Sequence, residues 1–270
     1  MQTQIVRKTF VGQLSADVMK SVLKLLGMAS SKVIIHFTND GLSVKSMDDK
    51  HVMYEEIDIV QAQLFDVYEL SDEMEVGTNL GFLLAWVERS GEDDMIIWKI
   101  DGEKHEITIV AKDTKEKQGR KLSVAVVKGL EKFPHPTITK PYTVELEFEN
   151  IGFQNVLGDC SLGGNELVMQ FSKDGIFFKC GELSTGEINI DIALDAAFIK
   201  NHKLDKNIKE LRVHLDYLSS VVGSLSSFGD VVSINYGIDN PITLKVLEQK
   251  MGDAIKNLMF CIAPLEAPEE

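Results

Sequence analysis

The nine residues FTNDGLSVK at Phe37–Lys45 return as FSKDGIFFK at Phe171–Lys179. Phe, Asp, Gly and Lys coincide at four of the nine positions, and Leu42 and Val44 are answered by Ile176 and Phe178. The copies lie 134 residues apart (171 − 37) in a chain of 270, close to half its length. A self-match at that spacing predicts one structural unit used twice. Each copy sits between alternating apolar runs, and an Asp-Gly pair in such a setting predicts a hairpin. Asp40-Gly41 and Asp174-Gly175 would supply the positive φ of a type I′ turn.

Working outward, Val18, Met19, Val22, Leu23 and Leu26 form one stripe, with Asp17, Lys20, Ser21 and Lys24 opposite. That pattern predicts a helix with Ser15 as N-cap and Gly27 just beyond its end. A second helix is expected from Leu80 to about Arg89, with Leu80, Leu83, Leu84 and Val87 inward. Alternating strands follow at Met95–Ile100 and Glu106–Lys112. Val126–Pro141, VVKGLEKFPHPTITKP, holds three of the six prolines and reads as a linker, because proline at that density prevents regular structure. The pattern then restarts: a strand at Tyr142–Phe148, a helix over Asn150–Cys160 with Ile151, Phe153, Val156 and Leu157 inward, the second hairpin, and a fourth helix over Leu215–Leu225.

The fold class expected is therefore α+β: two similar domains of antiparallel sheets with two helices each. Their spans are 1–125 and 142–265, joined by a loop over 126–141 and ending in an acidic tail over 266–270. Open sheets leave edge strands with unpaired backbone groups. The candidate edges are Gln118–Val126, carrying Leu122 and Val124, and Lys179–Ile192, flanked by Phe178 and Cys180. Pairing one edge with the other between neighbouring chains would be head-to-tail, and such an interface closes into a ring when the rotation permits.

Composition bounds the partners. The net charge is −14, with 44% hydrophobic and 26% charged residues, which excludes a free-standing basic module gripping phosphates with its whole surface. MQTQIVRKTF lacks the apolar run of a signal peptide, and no stretch approaches a membrane span. Three cysteines, Cys160, Cys180 and Cys261, make no closely spaced framework and read as reduced thiols of an intracellular protein. The six histidines are scattered, and neither His-Glu-x-x-His nor Cys-x-x-Cys occurs, so no metal and no cofactor are expected. Gly158-Asp159-Cys160-Ser161 has the residues of a nucleophile turn without its strand-turn-helix order, so the expectation is a non-enzyme, with a hydrolase using Cys160 as the competing class.

Four segments carry a resemblance. GLSVKSMDDKHV (Gly41–Val52), KDGIFFKCGEL (Lys173–Leu183), DNPITL (Asp239–Leu244) and CIAPLE (Cys261–Glu266) are similar to the DNA sliding clamps of archaea, eukaryotes and their viruses, the proliferating cell nuclear antigen family. The resemblance spans essentially the whole chain in order. It implies a trimeric ring of six similar domains around duplex DNA, with helices lining the hole and polymerase, clamp loader and other replication proteins as partners. One subunit of a mixed or checkpoint-type ring is the variant within the same fold. It implies a partner-peptide pocket at Met47, Val52, Leu130, Phe133, Pro241, Ile262, Ala263 and Pro264, and DNA contact through Lys20, Lys24 and Arg89. It also exposes a departure. Across the four expected helices these three cations face four acids, Asp17, Glu88, Asp159 and Asp216, where the family carries a basic lining. The basic runs Lys112–Lys121 and Lys200–Lys209 are the next candidates for DNA contact.

Overall fold

The computed structural model describes residues 8–91, 93–113, 119–182, 186–204, 210–237, 240–249 and 254–265. The acidic tail over 266–270 and the lysines at 115, 117, 206 and 209 of the two basic runs lie outside them. The chain divides into two compact units. The first holds Met1–Met47, Glu55–His135 and Met251–Leu258; the second holds Asp48–Tyr54, Pro136–Lys250 and Met259–Glu270.

The elements repeat in order. First come β1 (Thr9–Ser15), α1 (Ala16–Leu26), β2 (Lys32–Thr38), β3 (Gly41–Met47), β4 (Met53–Val60), β5 (Val67–Leu70), β6 (Met74–Asn79), α2 (Leu80–Val87), β7 (Met95–Asp101), β8 (Glu106–Lys112) and β9 (Gly119–Ala125). Then come β10 (Val144–Glu149), α3 (Asn150–Cys160), β11 (Glu166–Phe171), β12 (Gly175–Glu182), β13 (Gly186–Ala193), β14 (Ile199–Leu204), β15 (Glu210–His214), α4 (Leu215–Leu225), β16 (Gly229–Tyr236), β17 (Ile242–Gln249) and β18 (Ile255–Ile262). Within the first unit the strand orders are β5-β1-β7-β8-β9 and β4-β3-β2-β6. Within the second they are β14-β10-β16-β17-β18 and β13-β12-β11-β15, the same orders position by position.

The repeated glycines mark the repeated hairpins, though not as the turn expectation had it. Thr38 pairs with Gly41, so the two turn residues are Asn39 and Asp40, and Gly41 already belongs to β3. What requires glycine there is a close approach: a Cβ on Gly41 would lie 1.9 Å from the carbonyl oxygen of Ile59, and one on Gly175 would lie 2.5 Å from that of Ile192. Any larger residue would push the adjoining strand away.

Helix starts repeat as well. Ser15 Oγ accepts the Val18 N–H at 3.3 Å, the expected N-cap of α1, and Asn79 Oδ1 accepts the Phe82 N–H of α2 at 3.1 Å. The first N–H of α2, Leu80, donates to the Ser31 carbonyl at 2.7 Å, and that of α4, Leu215, donates to the Asn165 carbonyl at 2.8 Å. Both helix ends thereby satisfy donors that have no partner inside the helix. α1 packs on α2, and α3 on α4.

Each unit has its own core. In the first, Phe10 lies 4.6 Å from Phe37 and 5.8 Å edge-on from Trp98, with Phe65 and Tyr68 closing the cluster. In the second, Phe148 stacks on Phe153 at 4.3 Å, and Phe153 meets Phe178 at 6.2 Å. Each such side chain, buried fully, contributes about 1.5–3 kcal/mol.

Two expectations need correction. Ile151 is 65% exposed rather than inward. The buried stripe of α3 is Asn150, Phe153, Val156, Leu157 and Cys160, and at 100° per residue position 151 lies 200° from 153, on the far side. Phe178 and Cys180 are not on an edge: both are buried in β12, which is flanked by β11 and β13. The edges of that sheet are β13 and β15, and those of the β5-β1-β7-β8-β9 sheet are β5 and β9.

Candidate functional site

The cations expected to touch DNA are partly engaged. Lys20, whose side chain is only 20% exposed, donates to Asp17 Oδ1 at 3.1 Å and to the Ser90 carbonyl at 3.0 Å. Lys24 pairs with Glu88 at 3.2 Å. Arg89 is exposed and lies two residues past the last residue of α2, Val87. Exposed ion pairs of this kind contribute about 0–1 kcal/mol, so Lys24 can exchange Glu88 for a phosphate at little cost. Lys20, with two partners and half-buried, loses more. A further base, Arg120 on β9, lies 5.1 Å over the Trp86 ring and donates to Ser90 Oγ at 2.8 Å. It lies within the basic run Lys112–Lys121 that the sequence marked as a next candidate.

The residues of the expected peptide pocket fall in both units. In the first unit Met47 ends β3 half-exposed, and the linker is fastened along the β6-β2-β3 face. Val127 donates to the Gly77 carbonyl at 2.8 Å, Lys132 reaches Glu75 Oε2 at 2.5 Å, and His135 Nδ1 lies 2.6 Å from Glu56 Oε2. A Cβ on Gly77 would lie 2.1 Å from the Val127 carbonyl oxygen and 3.3 Å from Leu130, so glycine is what lets the linker lie flat. Phe133 lines a cavity of about 160 Å³ with Ile34, His36, Ser43 and Lys45.

In the second unit Val52 and Ala263 meet directly, the Ala263 N–H donating to the Val52 carbonyl at 2.8 Å. Pro241, Ala263 and Pro264 are half-buried. Ile262 departs from its expected role: it is fully buried, paired with Ile242 between β18 and β17, and so belongs to the core. Asp48 organises the turn that carries Val52. Its Oδ1 accepts the N–H groups of Val52 and Met53, each at 2.7 Å, and its Oδ2 accepts the Tyr217 hydroxyl at 2.7 Å. These hydrogen bonds outweigh desolvation and hold its carboxyl below the usual range, and the same contact pushes Tyr217 up to about 12. The SMDDKHV segment is thus a capped turn, with His51 at φ 59° in the left-handed region. Asn240 fixes the other end of the linker: its Nδ2 donates to the Lys140 carbonyl at 2.7 Å and its Oδ1 accepts the Thr139 N–H at 3.2 Å.

Cys160 is fully buried, and burial pushes its thiol up to about 11, so it is protonated at neutral pH and out of reach of a substrate. Among the described residues no group of three His, Cys, Asp or Glu is placed to hold a metal ion, and no helix is long and apolar enough to cross a membrane.

The family model for the N-terminal domain of proliferating cell nuclear antigen matches residues 12–129. A DNA polymerase sliding clamp of Thermococcus fumicolans is 24% identical over 251 residues, covering 92% of this chain and 93% of its own. One from Pyrococcus furiosus is 23% identical over 249 residues, with 92% and 93% covered, and one from Cenarchaeum symbiosum is 20% identical over 249, with 92% and 95% covered. The chain is similar to the proliferating cell nuclear antigen family over its N-terminal part. The family match covers the N-terminal part of the chain, whereas the relatives align over 92% of it. Sequence reasoning missed Asp48 as the organiser of the turn and Tyr217 as its partner. They lie 169 residues apart, and nothing in either local sequence joins them.

Proposed function

We propose that the chain is a DNA sliding clamp, a processivity factor that encircles duplex DNA and tethers DNA polymerase. The observation that carries the ring is that β9 in the first unit and β13 in the second are edge strands, each paired on one side only among the described residues. Antiparallel ladders point alternate N–H groups inward and outward. Val126 donates to the His105 carbonyl, which fixes the parity of β9: Leu122 and Val124 donate inward to β8, and Lys121, Ser123 and Ala125 point out. Leu194 donates to the Asp174 carbonyl, which by the same parity turns Glu187, Asn189 and Asp191 outward on β13. Leu122 and Val124, half-buried on the core face of β9, await cover, as do Ile188, Ile190 and Ile192 on β13. Leu162, at the end of α3 and 81% exposed, extends the apolar surface beside β13, since Gly163 lies against Ile188. Edge pairing of β9 with β13 of the next chain closes a trimer of identical chains, and nothing favours a mixed ring.

Topological linkage explains how a protein of net charge −14 works on DNA. A ring need not grip. The test is to load the chain, with its clamp loader, onto nicked circular DNA and then linearise the circle. A clamp slides off the ends, so the complex should be lost on cutting. A complex that survives linearisation overturns the reading. The protein works where duplex DNA is, inside the cell, and serves as a scaffold rather than a catalyst.

Phosphate contact falls to Lys24 and Arg89 ahead of Lys20, because Lys20 is held by Asp17 and Ser90. Lys24→Ala with Arg89→Ala should weaken low-salt DNA association and flatten its dependence on log[salt], each lost phosphate contact lowering the slope by about 0.9. An unchanged slope in gel-shift titrations would send the search to Lys112 and Lys200.

Partner peptides are expected on Met47, Val52, Leu130, Phe133, Pro241, Ala263 and Pro264. An aromatic anchor at a hot spot is worth about 2 kcal/mol or more. Met47→Ala should therefore weaken a clamp-binding peptide roughly thirty-fold in calorimetry while Lys112→Ala does not. Equal affinities would remove Met47 from the site.

A further inference from the structure

The second-unit half of the expected peptide pocket is tied to α4. Asn165, in the loop after α3, sets the start of that helix: its carbonyl accepts the Leu215 N–H, and its Oδ1 accepts the Asp216 N–H at 2.8 Å. Two donors with no partner inside the helix are thereby satisfied, and the first turn is fixed in place. Tyr217 is the next residue. It is half-buried, its ring lies 6.1 Å from that of His214, and its hydroxyl donates to Asp48, 169 residues away along the chain. A hydroxyl donating to an ionised carboxylate makes a charge-assisted bond, roughly twice as strong as a neutral one.

From Asp48 the hydrogen bonds run on to the pocket and back, all within the second unit. Asp48 Oδ1 takes the N–H groups of Val52 and Met53, the Val52 carbonyl takes the Ala263 N–H, and the Leu265 N–H donates to the Arg212 carbonyl at 2.9 Å. Arg212 lies in β15, the strand that leads through His214 into α4. The circuit closes: α4 holds the turn, the turn holds Ala263, and Leu265 holds the strand from which α4 grows. Inside the turn, the Asp48 N–H donates to the Met53 carbonyl and the His51 N–H to the Asp48 carbonyl, both at 2.9 Å. Those bonds shape the turn without aiming it, whereas the Tyr217 bond fixes it to a helix. We propose that Tyr217 is a positioning residue of the partner pocket, holding the Val52 turn through Asp48 in the arrangement that a partner peptide needs, a role that rests on reading Val52 and Ala263 as part of a peptide site. Tyr217 then acts on affinity through population. A turn that is competent for only a fraction of the time lowers the apparent affinity by that fraction. It does so by slowing association, while dissociation starts from the formed turn and keeps its rate.

The test uses the full-length chain and a twelve-residue peptide selected on it from a displayed random library, chosen because Val52→Ala weakens its binding. Tyr217→Phe removes the hydroxyl alone, and circular dichroism checks that the variant is folded. It should lower the affinity for that peptide roughly tenfold, the whole change appearing in the association rate by stopped flow. Asp48→Ala should weaken the peptide too, and adding Tyr217→Phe to it should cost nothing more, because the two side chains act through one bond. Unchanged affinity in Tyr217→Phe, faster dissociation, or additive losses in the double variant would overturn the proposal. So would a lower urea midpoint in Tyr217→Phe with the affinity kept, which would make the contact a purely structural one. If no selected peptide responds to Val52→Ala, the pocket reading falls and the role of Tyr217 with it. A peptide that responds to Val52→Ala and not to Tyr217→Phe keeps the pocket and removes the positioning role alone.

Discussion

Ser123→Pro should convert the proposed trimer to a monomer without unfolding the chain. Proline removes one N–H, and at position 123 that N–H points out of β9, away from β8. The internal ladder through Leu122 and Val124 is untouched, so the far-ultraviolet circular dichroism should match the wild type while light scattering reports one third of the mass. Val124→Pro is the contrasting variant. Its N–H donates inward, and its loss should destabilise the first unit itself. Asn189→Pro on β13 should act as Ser123→Pro does, by the same parity. A Ser123→Pro chain that is folded and still trimeric would exclude β9 as the interface edge.

Glu55→Gln should raise stability at alkaline pH by an amount that vanishes in acid. Glu55 is fully buried between β4 and the turn after α1, with Ser46 Oγ 2.7 Å from its Oε1 and the Ala29 N–H donating to its Oε2 at 2.9 Å. Desolvation raises its carboxyl to about 8 against an ordinary 4.5, the hydrogen bonds from Ser46, Ala29 and Met28 opposing the shift only in part. Below pH 4.5 folded and unfolded chains both hold the proton, and the contribution of the buried acid is fully present. Between 4.5 and 8 the unfolded chain releases the proton while the folded one keeps it, and stability is lost progressively, by as much as roughly 5 kcal/mol. Glutamine keeps an acceptor for Ala29 and a donor for Ser46 and cannot ionise. Urea unfolding of both chains should give midpoints that coincide near pH 4.5 and separate by pH 8, the variant being the more stable. Parallel curves would mean that Glu55 is ionised in the folded state.

The repeat was legible because its glycines have one cause, the carbonyl of the adjoining strand, and a close approach leaves a fixed residue type behind. Helix caps were legible for similar local reasons, as at Ser15. Less legible was anything decided by the second neighbour of a strand. Phe178 and Cys180 alternate as an edge pair would, yet β13 covers their strand, and alternation reports a face rather than a position in the sheet. Ile262 failed likewise: Ala263 and Pro264 after it are half-buried, but its own side chain turns into the core. The Lys20 contact with the Ser90 carbonyl and the Lys24–Glu88 pair join α1 to the residues after α2, and Glu55 is hidden beside Glu56, itself buried, which takes Lys45 and His135 instead. Charge counts along the helices therefore overstated what is available to DNA.

The alternation of inward and outward N–H groups along β9 sets a rule for how this protein can change length. Adding or removing a single residue between Arg120 and Ala125 would turn Leu122 and Val124 to solvent and swing every outward donor into the sheet. Two residues at once would restore both. In β9, and in β13 for the same reason, insertions and deletions should survive selection in even numbers, while the loops on either side accept any count.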